Sequence, residues 1–130
     1  MTVRYALYYA PRPDEALAGV ANQWLGVNAE TGRARPRPAI VGLPAERLEE
    51  ITADPRLYGF HGTLKAPIAL VDGATETDLV DAVGRFASSR KSFAVPSMTL
   101  SALGDFLALV PDGRCEALQD LADDCVIEFD

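Results

Sequence analysis

His61 is the single histidine of the chain. It sits in Tyr58-Gly59-Phe60-His61-Gly62-Thr63-Leu64-Lys65-Ala66-Pro67, with Thr63 and Lys65 following at intervals of two. An imidazole titrates near neutral pH and can give or take a proton. A hydroxyl can hydrogen-bond a non-bridging phosphoryl oxygen and hold an ester in place. An ammonium can balance phosphate charge. Together the three suit chemistry on a small phosphorylated substrate, with His61 and Thr63 as candidate catalytic residues and Lys65 as a candidate substrate-binding cation. Read as a strand, the stretch puts His61, Thr63 and Lys65 on one face. Phe60, Gly62, Leu64 and Ala66 fall on the other. Gly62 leaves room for close approach between the two polar residues. Spacing alone is weak evidence. His-x-Thr arises often by chance, a lone strand histidine is more often structural than catalytic, and Lys65 reads equally well as a solvated strand lysine.

The composition narrows the function classes. The chain has 130 residues, 48% hydrophobic and 24% charged, which fits one globular domain with a real core. Its net charge of −7 argues against nucleic acid, whose backbone is bound through fields of Lys and Arg. A small anionic ligand needs only a local cluster. No apolar run approaches the ~18 residues of a membrane span, and the start of the chain lacks a signal-peptide layout. Cys115 and Cys125 lie in a stretch that reads as helix, where a rise of ~1.5 Å per residue separates them by ~15 Å, too far for a disulfide. Free thiols suit a reducing cytoplasm. One histidine leaves too few soft ligands for a zinc site.

The elements that must position the candidates follow from patterning. Arg4 to Tyr9 reads as a strand. Pro13-Asp14-Glu15 opens a helix whose core face is Leu17, Val20, Ala21, Trp24 and Leu25, with Gly26 as its stop. Residues 27–43 are irregular. The basic run Arg33-Ala34-Arg35-Pro36-Arg37-Pro38 reads as a solvated loop kept extended by its prolines, in preference to a mobile flap over an anion. Pro44 starts a short helix with Leu48 and Ile51 inward, ended by Asp54-Pro55. The His61 strand stops near Pro67. Thr75 and Asp78 form a capping box for a helix with Leu79, Val83 and Phe86 inward. Two strands between Ser92 and Val110 join at Gly104-Asp105. Asp112 caps a last helix with Leu118, Leu121, Ala122 and Cys125 inward, and residues 126–129 turn extended. This order predicts an α+β class with a largely antiparallel sheet and helices on its outer face.

The stretch around His61 resembles the first signature of the 2H phosphoesterase superfamily, named for two His-x-Thr/Ser motifs. Arg4-Tyr5-Ala6-Leu7-Tyr8-Tyr9-Ala10-Pro11, Trp24-Leu25-Gly26, Glu30-Thr31-Gly32 and Leu103-Gly104-Asp105-Phe106-Leu107-Ala108-Leu109 resemble one branch of it, the DUF1045 family, associated with phosphonate metabolism. The resemblance covers nearly the whole chain. It implies a two-lobed, pseudo-symmetric fold with one His-x-Thr/Ser offered to the cleft by each lobe. It also implies hydrolysis of small cyclic phosphodiesters or related esters without metal or cofactor, the two histidines sharing base and acid roles. By this resemblance His61 is one acid/base and Thr63 its phosphate-orienting hydroxyl.

The second motif is missing, because the chain has no second histidine. The expectation is therefore a single 2H-phosphoesterase-like domain over residues 1–130 whose second lobe is incomplete, weak or inactive by itself, with its other half-site beyond Asp130. Two other classes stand beside this one. The first is a non-enzymatic domain that binds a phosphorylated metabolite through Thr63, Lys65 and the Arg33–Arg37 loop. The second is a structural fragment that self-associates through exposed strand edges.

Overall fold

The computed structural model describes residues 2–130. Nine elements follow in order: β1 (Tyr5–Tyr9), α1 (Ala16–Leu25), α2 (Ala45–Ile51), α3 (Ala53–Tyr58), β2 (Gly62–Ile68), α4 (Glu76–Ser88), β3 (Met98–Leu103), β4 (Phe106–Pro111) and α5 (Glu116–Glu128). The class is α+β. The strands form two separate two-stranded sheets, β1-β2 and β3-β4, rather than one sheet. Two compact units divide the chain: Tyr8–Thr63, and the segment up to Leu7 together with Leu64–Asp130.

In the unit Tyr8–Thr63, α1 ends where Gly26 adopts φ 72, and its N–H reaches the carbonyls of Asn22 and Gln23. That left-handed conformation is open to glycine at no steric cost. The buried side of α1 is Ala18, Ala21 and Leu25. Leu17, Val20 and Trp24, expected in the core, are at least 38% exposed, so the helix is turned toward its small residues. The basic run is no free loop. Arg37 donates from Nη2 to Leu25 O at 2.8 Å and to Thr52 Oγ1 at 2.9 Å. It thus ties the end of α1 to the α2–α3 junction, where Thr52 is 1% exposed. Leu48 of α2 is 2% exposed. Leu48→Ala is expected to cost about 2–5 kcal/mol, and Trp24→Ala less. Chemical denaturation measures both, and a larger loss for Trp24→Ala contradicts this view of the core.

Asp54-Pro55 does not end the helical region. It lies in the first turn of α3, where proline removes no intrahelical hydrogen bond. Gly59 then leaves α3 at φ 75, ψ 174, a region essentially reserved for glycine.

In the other unit, Thr75 and Asp78 close the expected capping box of α4: Asp78 N–H donates to Thr75 Oγ1 at 3.2 Å and Thr75 N–H to Asp78 Oδ2 at 2.8 Å. The hydrogen bonds from Thr75 hold the Asp78 carboxyl below its usual value. Leu79, Val83 and Phe86 are only half-buried. Leu103 pairs with Phe106 across Gly104-Asp105, and Gly104 takes φ 63 at the first turn position, as a II′ hairpin requires. α5 starts after Cys115, not at Asp112, and runs on to Glu128 where an extended segment was expected. The helical spacing continues because Phe129, four residues after the buried Cys125, meets Phe86 edge-on at 5.3 Å. Burial also pushes the Cys125 thiol up, so it stays protonated near neutral pH. A cavity of about 320 Å³ lined by Phe86, Arg90 and Asp124 opens between α4 and α5, and no candidate residue lines it.

Candidate functional site

His61 stands one residue before β2 begins at Gly62. Its position is set by the turn out of α3. Gly59 reverses the chain in its glycine-only conformation and presents its carbonyl to the histidine, with Nδ1 2.9 Å from Gly59 O. A carbonyl can only accept, so Nδ1 carries the proton and the neutral ring has its lone pair on Nε2. Among the described residues Nε2 has no hydrogen-bond partner and is not shut away from solvent. Nε2 is therefore the ring nitrogen left open.

The ring is held on a second side. Tyr8 of β1 stacks on it with centroids 4.0 Å apart and planes at 28°. Tyr58, the last residue of α3, stands tilted at 6.4 Å and 47°. Gly59 itself is buried, and a Cβ there would meet Ala29 Cβ at 2.8 Å. The glycine is thus required by conformation and by space. Thr63, next on the polar face, is exposed. A Cβ at Gly62, between them, would face open space. These residues all belong to one compact unit, Tyr8–Thr63.

Lys65 is placed differently from its neighbours on the polar face. Its side chain is 8% exposed, and Nζ lies 2.8 Å from Asp130 Oδ1. A buried ammonium is tolerable only with such a partner. The alternation expected of β2 is correspondingly blurred: Leu64 is half-buried and Ala66 exposed, while Lys65 is buried. The hydrogen bond and charge of Lys65 hold the Asp130 carboxyl below its usual range. A carboxyl depressed in the folded state stabilises above its unfolded pKa of about 3.9 and stops doing so as pH falls through the folded value. Asp130→Asn is therefore expected to lower Tm at pH 7, with the gap to wild type closing as pH drops below the carboxylate range. A gap that persists unchanged in acid contradicts the ion pair. Solvent around the exposed Asp130 keeps the effect modest.

Patterning singled out His61, Thr63 and Lys65 as candidates and gave no role to Tyr8, Tyr58 or Gly59, which the structure sets around the His61 ring. The signal for Gly59 was a glycine between a helix and a polar strand. Nothing local connects Tyr8 with His61, since that contact is tertiary. Among the described residues no cluster of three metal-ligating side chains occurs, and no helix is long and apolar enough to cross a membrane.

Comparison with known proteins places the chain. No solved structure matches it. A ribose 1,5-bisphosphate phosphokinase PhnN of Janthinobacterium sp. (strain Marseille) is 37% identical over 127 residues, covering 98% of this chain and 28% of the relative. A protein of the same name from Laribacter hongkongensis (strain HLHK9) is 35% identical over 130 residues, covering 98% of this chain and 30% of the relative. The chain thus spans less than a third of the length of these curated relatives. The family described as "Protein of unknown function (DUF1045)" matches residues 63–130. With more than half of its residues inside that match, the chain belongs to the DUF1045 family.

Proposed function

We propose that His61 and Thr63 form one half of a phosphoesterase site of the 2H type, acting on a small cyclic phosphodiester or related phosphate ester. The observation that carries this reading is the Nδ1 hydrogen bond to Gly59 O, which leaves Nε2 open as a base, with the exposed Thr63 two residues on in the chain. In the step, Nε2 takes a proton from water as its oxygen attacks phosphorus. One ester P–O bond breaks, and a second acid supplied from outside this chain protonates the leaving oxygen. Thr63 Oγ holds a non-bridging oxygen. Because proton transfer is done by side chains, the reaction needs no metal and no cofactor.

The substrate class draws on the relatives. Their name points to phosphorylated ribose, so a pentose cyclic phosphate handled in phosphonate metabolism is the substrate we favour. The phosphokinase activity in that name belongs to those proteins. A P-loop needs Gly-Lys-Ser/Thr, whereas both lysines here, Lys65 and Lys91, follow Leu64 and Arg90. The part of the relatives that this chain matches is therefore read as separate from any phosphate loop of that kind.

The test is hydrolysis by the encoded polypeptide of a panel of pentose cyclic phosphates and phosphomonoesters, followed by 31P NMR with and without chelator. Turnover of a cyclic diester that survives chelation is expected. Binding without turnover of any member favours the metabolite-binding class instead. A second reading rests on the β3–β4 hairpin. Leu100 pairs with Leu109 and Ala102 with Leu107, and Leu100 and Leu107 are 73% and 68% exposed. An open apolar sheet face of this kind favours association with a further copy or segment, and light scattering at micromolar concentration reads it.

A further inference from the structure

We propose that Tyr8 is the positioning residue of His61, its ring fixing the imidazole plane so that Nε2 stays aimed outward while Nδ1 stays on Gly59 O. The inference rests on the reading of His61 as a proton carrier and names the residue that makes it one.

The need for a second restraint is geometric. The hydrogen bond at Nδ1 holds one atom of the ring. An imidazole held at a single atom can still pivot about that contact, because the second side-chain torsion of histidine is broad. Pivoting carries Nε2 through an arc, and a misplaced base loses catalysis steeply. A flat neighbour against the ring face removes the pivot. Tyr8 lies 4.0 Å from the ring at 28°, close to parallel. Tyr58, at 6.4 Å and 47°, is too far and too tilted to do the same.

Core packing does not account for Tyr8. It is 43% exposed, and its neighbour Tyr9, at 53%, forms no ring pair among the described residues. With 43% of its surface in solvent the ring is not a core residue, and its ring partner among the described residues is His61. The contact also suits the reaction. When Nε2 takes a proton, the positive imidazolium faces the electron-rich ring of Tyr8. The stack therefore survives the change of charge, where an aliphatic neighbour would offer shape alone.

The single histidine makes the test clean, because one pair of ring 15N signals belongs to His61. In the wild type, Nδ1 should be protonated and Nε2 unprotonated in the neutral form. The ring carbon-bound protons should lie upfield of free histidine under the ring current of Tyr8. Tyr8→Phe keeps the π face and should retain both features. Tyr8→Met fills the space without a π face, so the two 15N signals should move toward the average of mixed tautomers. Its kcat on the substrate found above should fall about tenfold with KM little changed. If Tyr8→Met keeps the wild-type 15N pattern, the proposal is overturned, whatever the assay shows. Wild-type ring protons without an upfield shift overturn it too, and that measurement does not depend on any variant folding. Failure of the catalytic reading itself looks different: His61→Gln would hydrolyse normally while the 15N pattern still answered to Tyr8.

Discussion

Glutamine in place of His61 is expected to lower phosphoester hydrolysis by about 10²–10⁴-fold, the usual contribution of a positioned acid or base. Glutamine keeps a donor and an acceptor but does not titrate. The loss should fall on kcat, because proton transfer belongs to the transition state and not to substrate binding. The structure gives the variant little reason to unfold. His61 is half-buried, lies outside any helix, and makes a single hydrogen bond to a carbonyl. Circular dichroism should therefore match wild type. A rate within about threefold of wild type, far inside the range expected of a general base, would remove His61 from the reaction. Thr63→Val is the companion measurement. It keeps the β-branch that suits a strand and deletes the hydroxyl, so its loss should be smaller than that of His61→Gln.

Alanine in place of Gly59 is the substitution expected to disturb the fold most, at about 2–6 kcal/mol. Two independent costs add. The residue holds φ 75, ψ 174, where a side chain is strained whatever the space around it. A Cβ would also stand 2.8 Å from Ala29 Cβ, and an alanine methyl has no flexible end with which to give way. Relief of the backbone strain at Gly59 moves its carbonyl, which is the group that holds His61 Nδ1. Stability and the His61 tautomer should therefore fail together. Gly62→Ala is the control, since its Cβ position faces open space and its φ is not positive. It should stay within about 1 kcal/mol of wild type. Equal losses at Gly59 and Gly62 would mean that the turn out of α3 is not the constraint argued above.

Local rules carried the reading of this chain wherever one residue governs its immediate neighbours. Gly26 and Gly104 take positive φ as stop and turn, and Thr75 with Asp78 caps α4. Strand alternation grouped His61, Thr63 and Lys65 as one polar set, whereas in the fold His61 precedes β2, Thr63 is exposed and Lys65 is buried. Local rules failed where the outcome depended on what an element meets. Periodicity placed Leu17, Val20, Ala21, Trp24 and Leu25 of α1 inward, but it cannot fix how far the helix is turned. Packing buried Ala21 and Leu25 together with Ala18 and left Leu17, Val20 and Trp24 exposed. Arg37 looked like part of a solvated basic run, and only the folded chain shows it bonded to Leu25 O and Thr52 Oγ1. The site divides in the same way. Residue types and spacing by themselves determined which side chains could move a proton and hold a phosphate. Which nitrogen of His61 is free, which ring holds it, and that Lys65 is buried against Asp130 were decided by tertiary structure. The reason is physical: the His61 tautomer follows from a bond to Gly59 O two residues away that only the backbone turn at Gly59 creates, while the ring's stack on Tyr8 and the burial of Lys65 depend on partners distant in sequence that no local pattern encodes.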